Sequence, residues 1–378
     1  MPVAVQTITQ ERAFAALAGE WDALVAAMPR PSPFLCHGWL LSWWRHYGRG
    51  SRLQVHVARR EGRLVGALPL FVTRRHGVRV ARFIGAESAA LADLLIADDD
   101  PELVAELILE RAATAGNMLL DVFGPPGGSR LANALALRGV EQIPIVQAPV
   151  LDLDGGWEAV YRSKTNAKKR NFHGRRRRQL QKLGELEATV ARSGAELERA
   201  LEEAFRLHAA RWHGRPDHSG FATPTGMRFH RAALRALEPL DAARIMTLRL
   251  DGRPIAFHYY LLMFDCMYVH RLGFDPAYAR FSPGLVNTLD ALGAAAAEGA
   301  RRVEFLGADE RYKLELADRL EPLNRVLGLP QGARGRALSQ AVRAGIATRL
   351  RLKRSPAVNR FYYRGLAPAR RLLTAARS

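Results

Sequence analysis

Apolar and polar residues alternate with a period of two along several stretches of the chain, which predicts strands. Residues 53–72 alternate and are interrupted by Glu61-Gly62, which predicts a hairpin with a tight turn. Residues 244–264 repeat this pattern around Asp251-Gly252. Shorter apolar runs at residues 118–123, 267–272 and 303–306 predict buried strands. The chain therefore carries strands in both of its halves.

Between these strands the apolar residues recur at helical spacing. Residues 11–27 and 34–48 predict two helices near the start, the second with Trp39, Trp43 and Trp44 on one side. Pro101 and Pro283 each stand at a good first position of a helix. Three more helices are predicted, over residues 158–183, 196–212 and 225–237.

The two halves resemble each other in sequence order. Gly62-Arg63 matches Gly252-Arg253, and downstream Gly116, Asp121 and Gly124 match Gly299, Glu304 and Gly307. Each half runs helices, hairpin, strand, helix, strand, so one domain is duplicated. We predict an α/β fold with mixed sheets, in three parts: residues 1–149, residues 150–330 with the active site, and a basic tail over residues 331–378.

Composition narrows the function classes. The chain has 378 residues, a net charge of +19 and only two cysteines, which give no disulfide framework and no metal-ligand spacing. We expect no metal, no signal peptide and no membrane-spanning segment, and a cytoplasmic location, with peripheral attachment to the inner membrane as a refinement. The positive charge concentrates in residues 162–182 and in the tail, since no acid follows Glu321. CoA phosphates, anionic lipid, RNA, or merely an arginine-rich solvated surface all fit this charge.

Several segments together resemble a known family: PFLCHGWLLSWWRHYG, KKRNFHGRRRRQLQKLG, LHAARW, LDGRPIAFHY, LGFDPAYARFSPG and FLGADERYKLELA. Their order resembles the GNAT class of N-acetyltransferases, in two tandem copies like the FemAB-like double-GNAT proteins. More narrowly, the chain is similar to the CelD-like family, some members of which are bacterial ceramide synthases. The resemblance implies tandem GNAT folds and acyl transfer from a thioester to an amine. Acyl-CoA would be a co-substrate, with no permanently bound cofactor.

The resemblance also implies where the donor binds. In GNAT proteins the pyrophosphate lies at a helix start after the fourth strand, which here is PAYARFSPG. Ser282 is a suitable N-cap and Gly284 permits a close backbone approach. The expected donor-binding residues are Arg271, Arg280, Phe281, Ser282, Pro283, Gly284 and Lys313.

Amide formation requires a proton acceptor for the amine and donors for the oxyanion. His258 and His270 titrate near neutrality and could both face the gap between strands, and the first half lacks equivalents. In ADERYK, the carboxylates could act as bases and Tyr312 could protonate a thiolate. The expected catalytic residues are His270, His258, Asp309, Glu310 and Tyr312, and the expected acceptor-binding residues are Arg211, Trp212 and Asp275.

Three functions follow from this reading. The first is an acyl-CoA-dependent N-acyltransferase with a lipid amine, such as a sphingoid base, or a glycan amine as acceptor. The tail supports membrane contact, because Leu338, Val342, Ile346 and Leu350 recur every four residues among arginines and FYYRGLAPARRLL adds aromatics. The alternatives are an aminoacyl-tRNA-dependent transferase, in which the basic helix contacts tRNA, and a non-catalytic scaffold in polysaccharide synthesis.

Overall fold

A computed structural model describes residues 2–89, 91–213, 219–307 and 310–354. The strands are β1 Val3–Ile8, β2 Arg52–Arg60, β3 Arg63–Arg75, β4 Val78–Phe83, β5 Leu95–Ile96, β6 Leu119–Pro126, β7 Gln142–Asp152, β8 Leu186–Ala191, β9 Ala243–Leu250, β10 Arg253–Met263, β11 Cys266–Phe274, β12 Arg302–Glu304 and β13 Arg319–Gly328. The helices are α1 Glu11–Ala15, α2 Ala18–Ala26, α3 His37–Tyr47, α4 Ala86–Ala89, α5 Pro101–Thr114, α6 Arg130–Leu137, α7 Trp157–Lys164, α8 Ala167–Gln181, α9 Gly194–Trp212, α10 Pro224–Leu237, α11 Pro283–Ala297, α12 Arg311–Leu316 and α13 Gly332–Arg354.

Within the described residues the strands form one continuous mixed sheet in the order β1-β2-β3-β4-β6-β13-β7-β12-β11-β10-β9-β8, and β5 pairs with β3. Each half contains one parallel pair, β4 with β6 and β11 with β12, and the other pairs are antiparallel. The fold therefore consists of tandem GNAT folds, which confirms the predicted fold class.

The two halves exchange their last strands. β7 of the first half pairs with β12 of the second, and β13 of the second half pairs with β6 of the first. β7 and β13 also pair with each other along most of their length, so they join the halves at the centre of the sheet. The predicted boundary at 149/150 falls inside β7, and neither half has a complete sheet without the other.

The matching hairpins follow from their turn residues. Glu61-Gly62 and Asp251-Gly252 form two-residue loops in which both residues have positive φ, between 48° and 79°. This conformation matches the twist of the flanking strands and favours glycine at the second position. The predicted hairpins are confirmed in both halves.

Helices cover both faces of the sheet, and α3 of the first half packs closely on α10 of the second. A Cβ at Gly38 would lie 2.8 Å from the Cβ of Ala236, so this crossing requires glycine. The aromatic residues Trp21, Trp39 and Phe229 are fully buried near this contact. The second half thus packs against the first through this pair of helices.

The predicted helix over residues 158–183 is wrong in one respect, because the structure has two helices there. Thr165 is extended, with φ at −131°, and the Asn166 side chain accepts a hydrogen bond from the Lys169 amide at 2.9 Å. This N-cap starts α8 in a new direction. As a result α8 runs back along α11 instead of continuing away from the sheet.

The apolar stripe of the tail has a different partner from the one the sequence suggested. Leu338, Val342 and Ile346 of α13 pack against Val78, Val80, Leu119 and Leu327 of the first half's sheet. Gly335 approaches the carbonyl of Met118 so closely that a Cβ would lie 2.3 Å from its oxygen. Packing on the sheet accounts for these three residues of the predicted stripe, so they are not available for a membrane surface, whereas Leu350 is not part of this cluster. The FYYRGLAPARRLL segment lies outside the described residues.

Candidate active site

The parallel strands β11 and β12 separate soon after they meet. They pair only from Cys266 to Tyr268 on β11 and from Arg302 to Glu304 on β12. Beyond these pairs, residues 269–272 and 305–307 flank a gap, which we call the second-half notch. A gap between parallel strands exposes backbone groups and side chains that a continuous ladder would occupy.

A β-bulge lies on one side of this notch. Tyr259 pairs with Arg271 and Tyr260 with Val269, which leaves His270 as the extra residue of β11. The His270 ring is buried against Phe34, Trp39, His230 and Tyr259. Its Nε2 atom has no hydrogen-bond partner among the described residues. Burial, and secondarily the Arg271 charge, lowers the pKa of His270 well below its usual value, so the ring is neutral at physiological pH.

Arg271 turns towards the first half. Its guanidinium donates to the carbonyl of His270 at 2.7 Å and to the carbonyl of Ser88 at 3.4 Å. Arg211, at the end of α9, donates to the carbonyl of Leu272 at 3.3 Å and lies 4.7 Å above the Phe274 ring. Two cations therefore border the notch on the face that also carries His270. Trp212 is on the same helix end, 6.2 Å from the His208 ring.

His258 lies on the opposite face of the sheet, which corrects the expectation that both histidines face the gap together. The His258 ring neighbours Tyr260, whereas His270 contacts Tyr259, and successive strand residues point to opposite faces. Neither ring nitrogen of His258 has a partner among the described residues. Burial and the nearby Lys313 lower the pKa of His258 to about 3. It can donate or accept a hydrogen bond there, but it is a weak base.

Lys313 is buried on this second face, with 6% of its surface exposed. Its Nζ atom donates to the carbonyl of Phe305 at 3.4 Å and pairs with the Glu310 carboxylate at 3.0 Å. Glu310 stands at the N-cap position of α12, and its side chain makes no capping bond. Asp309, the other carboxylate expected here, lies outside the described residues.

A groove of about 490 Å³ runs between α8, α11 and α12 on this face. Its lining is largely apolar at Phe172, Leu285, Leu289 and Leu316, with polar groups at its rim. Tyr312 belongs both to the groove and to the notch, because its ring centroid lies 6.4 Å from that of Phe305. The Tyr312 hydroxyl is buried, and burial together with the Glu310 carboxylate beside it raises its pKa.

The expected phosphate site at the start of α11 has two arginines near it. Arg176 of α8 donates to the carbonyl of Arg280 at 2.7 Å, and the Arg280 guanidinium lies 4.5 Å from the Phe281 ring. Ser282 occupies the N-cap position with φ at 56° and makes no side-chain cap, so its hydroxyl does not serve the helix as the sequence suggested. Pro283 is the first helical residue and is buried.

Two of the expected site residues have local structural roles. A Cβ on Gly284 would lie 3.0 Å from the Phe274 ring, so glycine here already serves the packing of the loop. Asp275 accepts a hydrogen bond from the Ala277 amide at 2.9 Å and pairs with Arg253 at 2.9 Å, which fixes the turn after β11. Its carboxylate is committed to the turn, so the expectation that it binds the acceptor is not supported.

The sequence reasoning missed His230 and the contribution of the first half. His230 of α10 is fully buried, and its ring centroid lies 5.2 Å from that of His270. Trp39 and Ser88 come from the first half and lie against the same bulge and Arg271. The sequence did contain a signal for His230, because this histidine lies within the apolar stripe of residues 229–237. A polar residue at a core position of a helix requires a partner, which indicates a polar contact inside the fold.

Membrane-spanning helices and clusters of metal ligands are both absent from the described residues. No helix among them is long and apolar enough to span a bilayer. No group of three or more His, Cys, Asp or Glu side chains in these parts of the chain is placed to hold a metal ion.

Residues 167–314 match the family model described as Acetyltransferase (GNAT) domain, which spans α8 to α12. Solved structures that share the fold include FemX, which is 11% identical, with 90% of this chain and 100% of that chain covered and a TM-score of 0.61. The C-terminal domain of a putative lysylphosphatidylglycerol synthetase from Agrobacterium fabrum is 14% identical, with 87% of this chain and 96% of that chain covered and a TM-score of 0.54. L-PGS from Bacillus licheniformis is 10% identical, with 87% of this chain and 95% of that chain covered and a TM-score of 0.54. No curated protein matches the sequence. The comparisons therefore support a FemAB-like double-GNAT relationship at the level of fold, and they do not support the ceramide synthase relationship.

Proposed function

We propose that the chain is an N-acyltransferase that moves an acyl group from a CoA thioester to an amine. The observation that carries the proposal is Tyr312, a half-buried tyrosine whose buried hydroxyl lies beside Glu310 where the apolar groove meets the notch. The groove suits an elongated donor with an apolar arm, and the start of α11 suits its phosphates, because helix N-termini and guanidinium groups favour anions.

In the proposed reaction the amine nitrogen attacks the thioester carbonyl carbon, and the C–S bond breaks as the amide forms. The thiolate leaves with the electron pair and takes the proton of the Tyr312 hydroxyl. A raised pKa keeps that phenol protonated at neutral pH, and the same loss of water makes the leaving thiolate a stronger base than it is in solution, so that it can take this proton. The Glu310 carboxylate accepts the proton that the amine loses, and Lys313 holds this carboxylate at the end of the groove.

The bulged face of the sheet is the proposed side for the acceptor. Neutral His270 and His230 supply hydrogen-bonding atoms there, and Arg211 and Arg271 border the opening. In this arrangement donor and acceptor approach the notch from opposite faces. The first half borders the acceptor side through Trp39 and Ser88.

The proposal is tested first by calorimetric binding of CoA and acetyl-CoA. Leu289→Trp should fill the groove and weaken binding at least tenfold, since Leu289 lines it. The matched control is Leu137→Trp, in a groove of about 480 Å³ between α5 and α6 of the first half, where Leu137 is 85% exposed. This control should bind CoA like the unaltered protein.

The second test measures CoA release when acetyl-CoA or a longer acyl-CoA is mixed with a panel of amines that includes sphinganine and glucosamine. A parallel reaction supplies aminoacyl-tRNA in place of the thioester. Absence of CoA binding, or identical binding by the two tryptophan variants, would overturn the proposal. Transfer from aminoacyl-tRNA alone would replace the thioester by an aminoacyl ester as the donor.

A further inference from the structure

The outward side of α8 carries an exposed row of cations. The cations are Lys168, Arg175, Arg178 and Lys182, all exposed, and the neutral, exposed Asn171 lies between the first two. Their spacing of three and four residues places all five on one side of the helix. No acidic residue occurs between Glu158 and Glu185. With a rise of about 1.5 Å per residue, the row is roughly 20 Å long.

The inward side of α8 packs against the rest of the protein. Lys169 pairs with Glu315 of α12 at 2.9 Å, Arg177 pairs with Asp290 of α11, and Leu180 is fully buried. Two cations on this side are therefore already paired with acids of the protein. Those on the outward side form a fixed ridge, since the helix that carries them is held at several points along its length.

One end of this row meets the groove, because Lys168 of α8 lines it together with Arg311 of α12, whose side chain is 93% exposed. Leu314, one turn further along α12, is 42% exposed. Leu183, just beyond the other end of α8, is 45% exposed. We call the cationic row, Arg311 and these two leucines the α8–α12 face.

We propose that the α8–α12 face docks on an anionic lipid bilayer, with the groove mouth turned towards the lipid. Arginine and lysine bind lipid phosphates and nucleic-acid phosphates alike, so the row by itself does not choose between them. The exposed leucines favour the bilayer, because apolar side chains among cations gain from entering the interface and have no counterpart on a phosphate backbone. Docking of this kind does not depend on the transfer reaction.

The test is cosedimentation of the full chain with vesicles of phosphatidylcholine, with and without phosphatidylserine, at about 0.1 M salt, where charges are screened beyond ~10 Å. The triple variant Arg175→Gln, Arg178→Gln, Lys182→Gln should lower partitioning onto phosphatidylserine vesicles at least tenfold, since each cation near such a surface adds roughly fivefold. Leu314→Gln should lower it by a further factor of about two to five.

The matched control removes the same charge from the first half. Arg74, Arg75 and Arg79 are exposed around the β3–β4 turn, and their triple glutamine variant should keep nearly full binding. Circular dichroism melts establish that each variant is folded, and CoA binding separates this proposal from the transferase proposal. Equal loss in both triple variants, or no binding of the unaltered protein to phosphatidylserine vesicles, would overturn the proposal. Binding of tRNA that the α8 triple variant abolishes, with vesicle binding unchanged, would assign the face to nucleic acid instead.

Discussion

The two halves share a fold and differ in what occupies the gap between their parallel strands. In the first half β4 and β6 pair through Val80 and Ala81, and beyond them the gap is filled by apolar residues. Leu91 and Ala92 are buried there, and the Ala92 amide donates to the carbonyl of Gly124 at 3.2 Å. In the second half the corresponding gap is flanked by His270, Arg271 and residues 305–307. The candidate site therefore lies in the half whose gap is not filled by apolar residues.

A second difference concerns the chain that follows each exchanged strand. After β7, the break at Thr165 and Asn166 turns α8 back along α11, where it forms one wall of the groove. After β13, α13 continues as one uninterrupted helix of 23 residues and packs on the sheet. The two basic segments of the sequence are therefore equivalent in position, and only the first lies beside the candidate site.

The strongest test of the comparison removes the exchanged strand. A chain that ends after Asp318 lacks β13, which leaves β6 and β7 without their shared partner and Asp121 without Arg325. We expect loss of the cooperative thermal transition in calorimetry, because two unpaired central strands and an unpaired buried carboxylate destabilise both halves. A chain that ends after Gln331 keeps β13 and should unfold cooperatively at a lower temperature. If the shorter chain retained a transition of its own, the halves would be independent domains.

The chemical difference between the halves is tested at Tyr312. Tyr312→Phe should lower the acyl-transfer rate constant by about 100-fold or more while CoA affinity changes little, because a general acid contributes roughly 10²–10⁴. Tyr260→Phe is the control, since the Tyr260 hydroxyl is also buried but this residue of β10 does not line the groove. Comparable losses in both variants would show that the effect is structural.

Much of the architecture could be predicted from local sequence. The turns at Gly62 and Gly252 fix both hairpins, and the repeat of Gly116, Asp121 and Gly124 as Gly299, Glu304 and Gly307 revealed the duplication. The matched acids are both buried in ion pairs, Asp121 with Arg325 and Glu304 with Arg30 and Arg302. Patterns of this kind are local, so they can be recognised in the sequence without knowledge of the tertiary contacts.

The features that depend on distant contacts could not be predicted. The strand exchange leaves no local signal, because β7 and β13 have the same alternating pattern whichever neighbour they pair with. A one-residue bulge at His270 reverses the alternation and placed His258 and His270 on opposite faces. A helix that packs on a sheet and a helix that lies on a membrane have the same sequence pattern, since each needs one apolar side. The two differ only in whether protein or lipid covers that side, so the sequence of the tail could not distinguish them.

The position of α13 is tested by placing a charge in its buried stripe. Val342→Asp should destabilise the protein by about 3 kcal/mol in urea unfolding without lipid, because a carboxylate would be buried against the sheet of the first half. Leu352→Asp is the control on the same helix, since Leu352 is 48% exposed and should tolerate the change. If Val342→Asp were as stable as Leu352→Asp, the stripe would be free and the difference between α8 and α13 would disappear.

The smallest expected effect concerns the helices that follow β6 and β12. α12 begins at the exposed Glu310, whereas α6 begins beside Asp93, whose Oδ1 accepts from the amides of Leu94 at 2.7 Å and Leu131 at 2.8 Å. Burial raises the pKa of Asp93 from 3.8 to about 6. The stability linked to this group is therefore full below about pH 4 and is lost as the pH rises through about 6, because the folded state binds the proton more tightly.

Asp93→Asn keeps an oxygen acceptor for both amides and cannot ionise. In urea unfolding, its stability relative to the unaltered protein should rise between about pH 4 and pH 7 by up to about 3 kcal/mol. The same measurement on Glu310→Gln gives the comparison for the start of α12, where the carboxylate is exposed and paired with Lys313. A relative stability of Asp93→Asn that stays flat or falls over this range would mean that the Asp93 charge is well accommodated. The two helix starts would then be electrostatically alike, and the contrast between the halves would rest on the gap and the following helices alone.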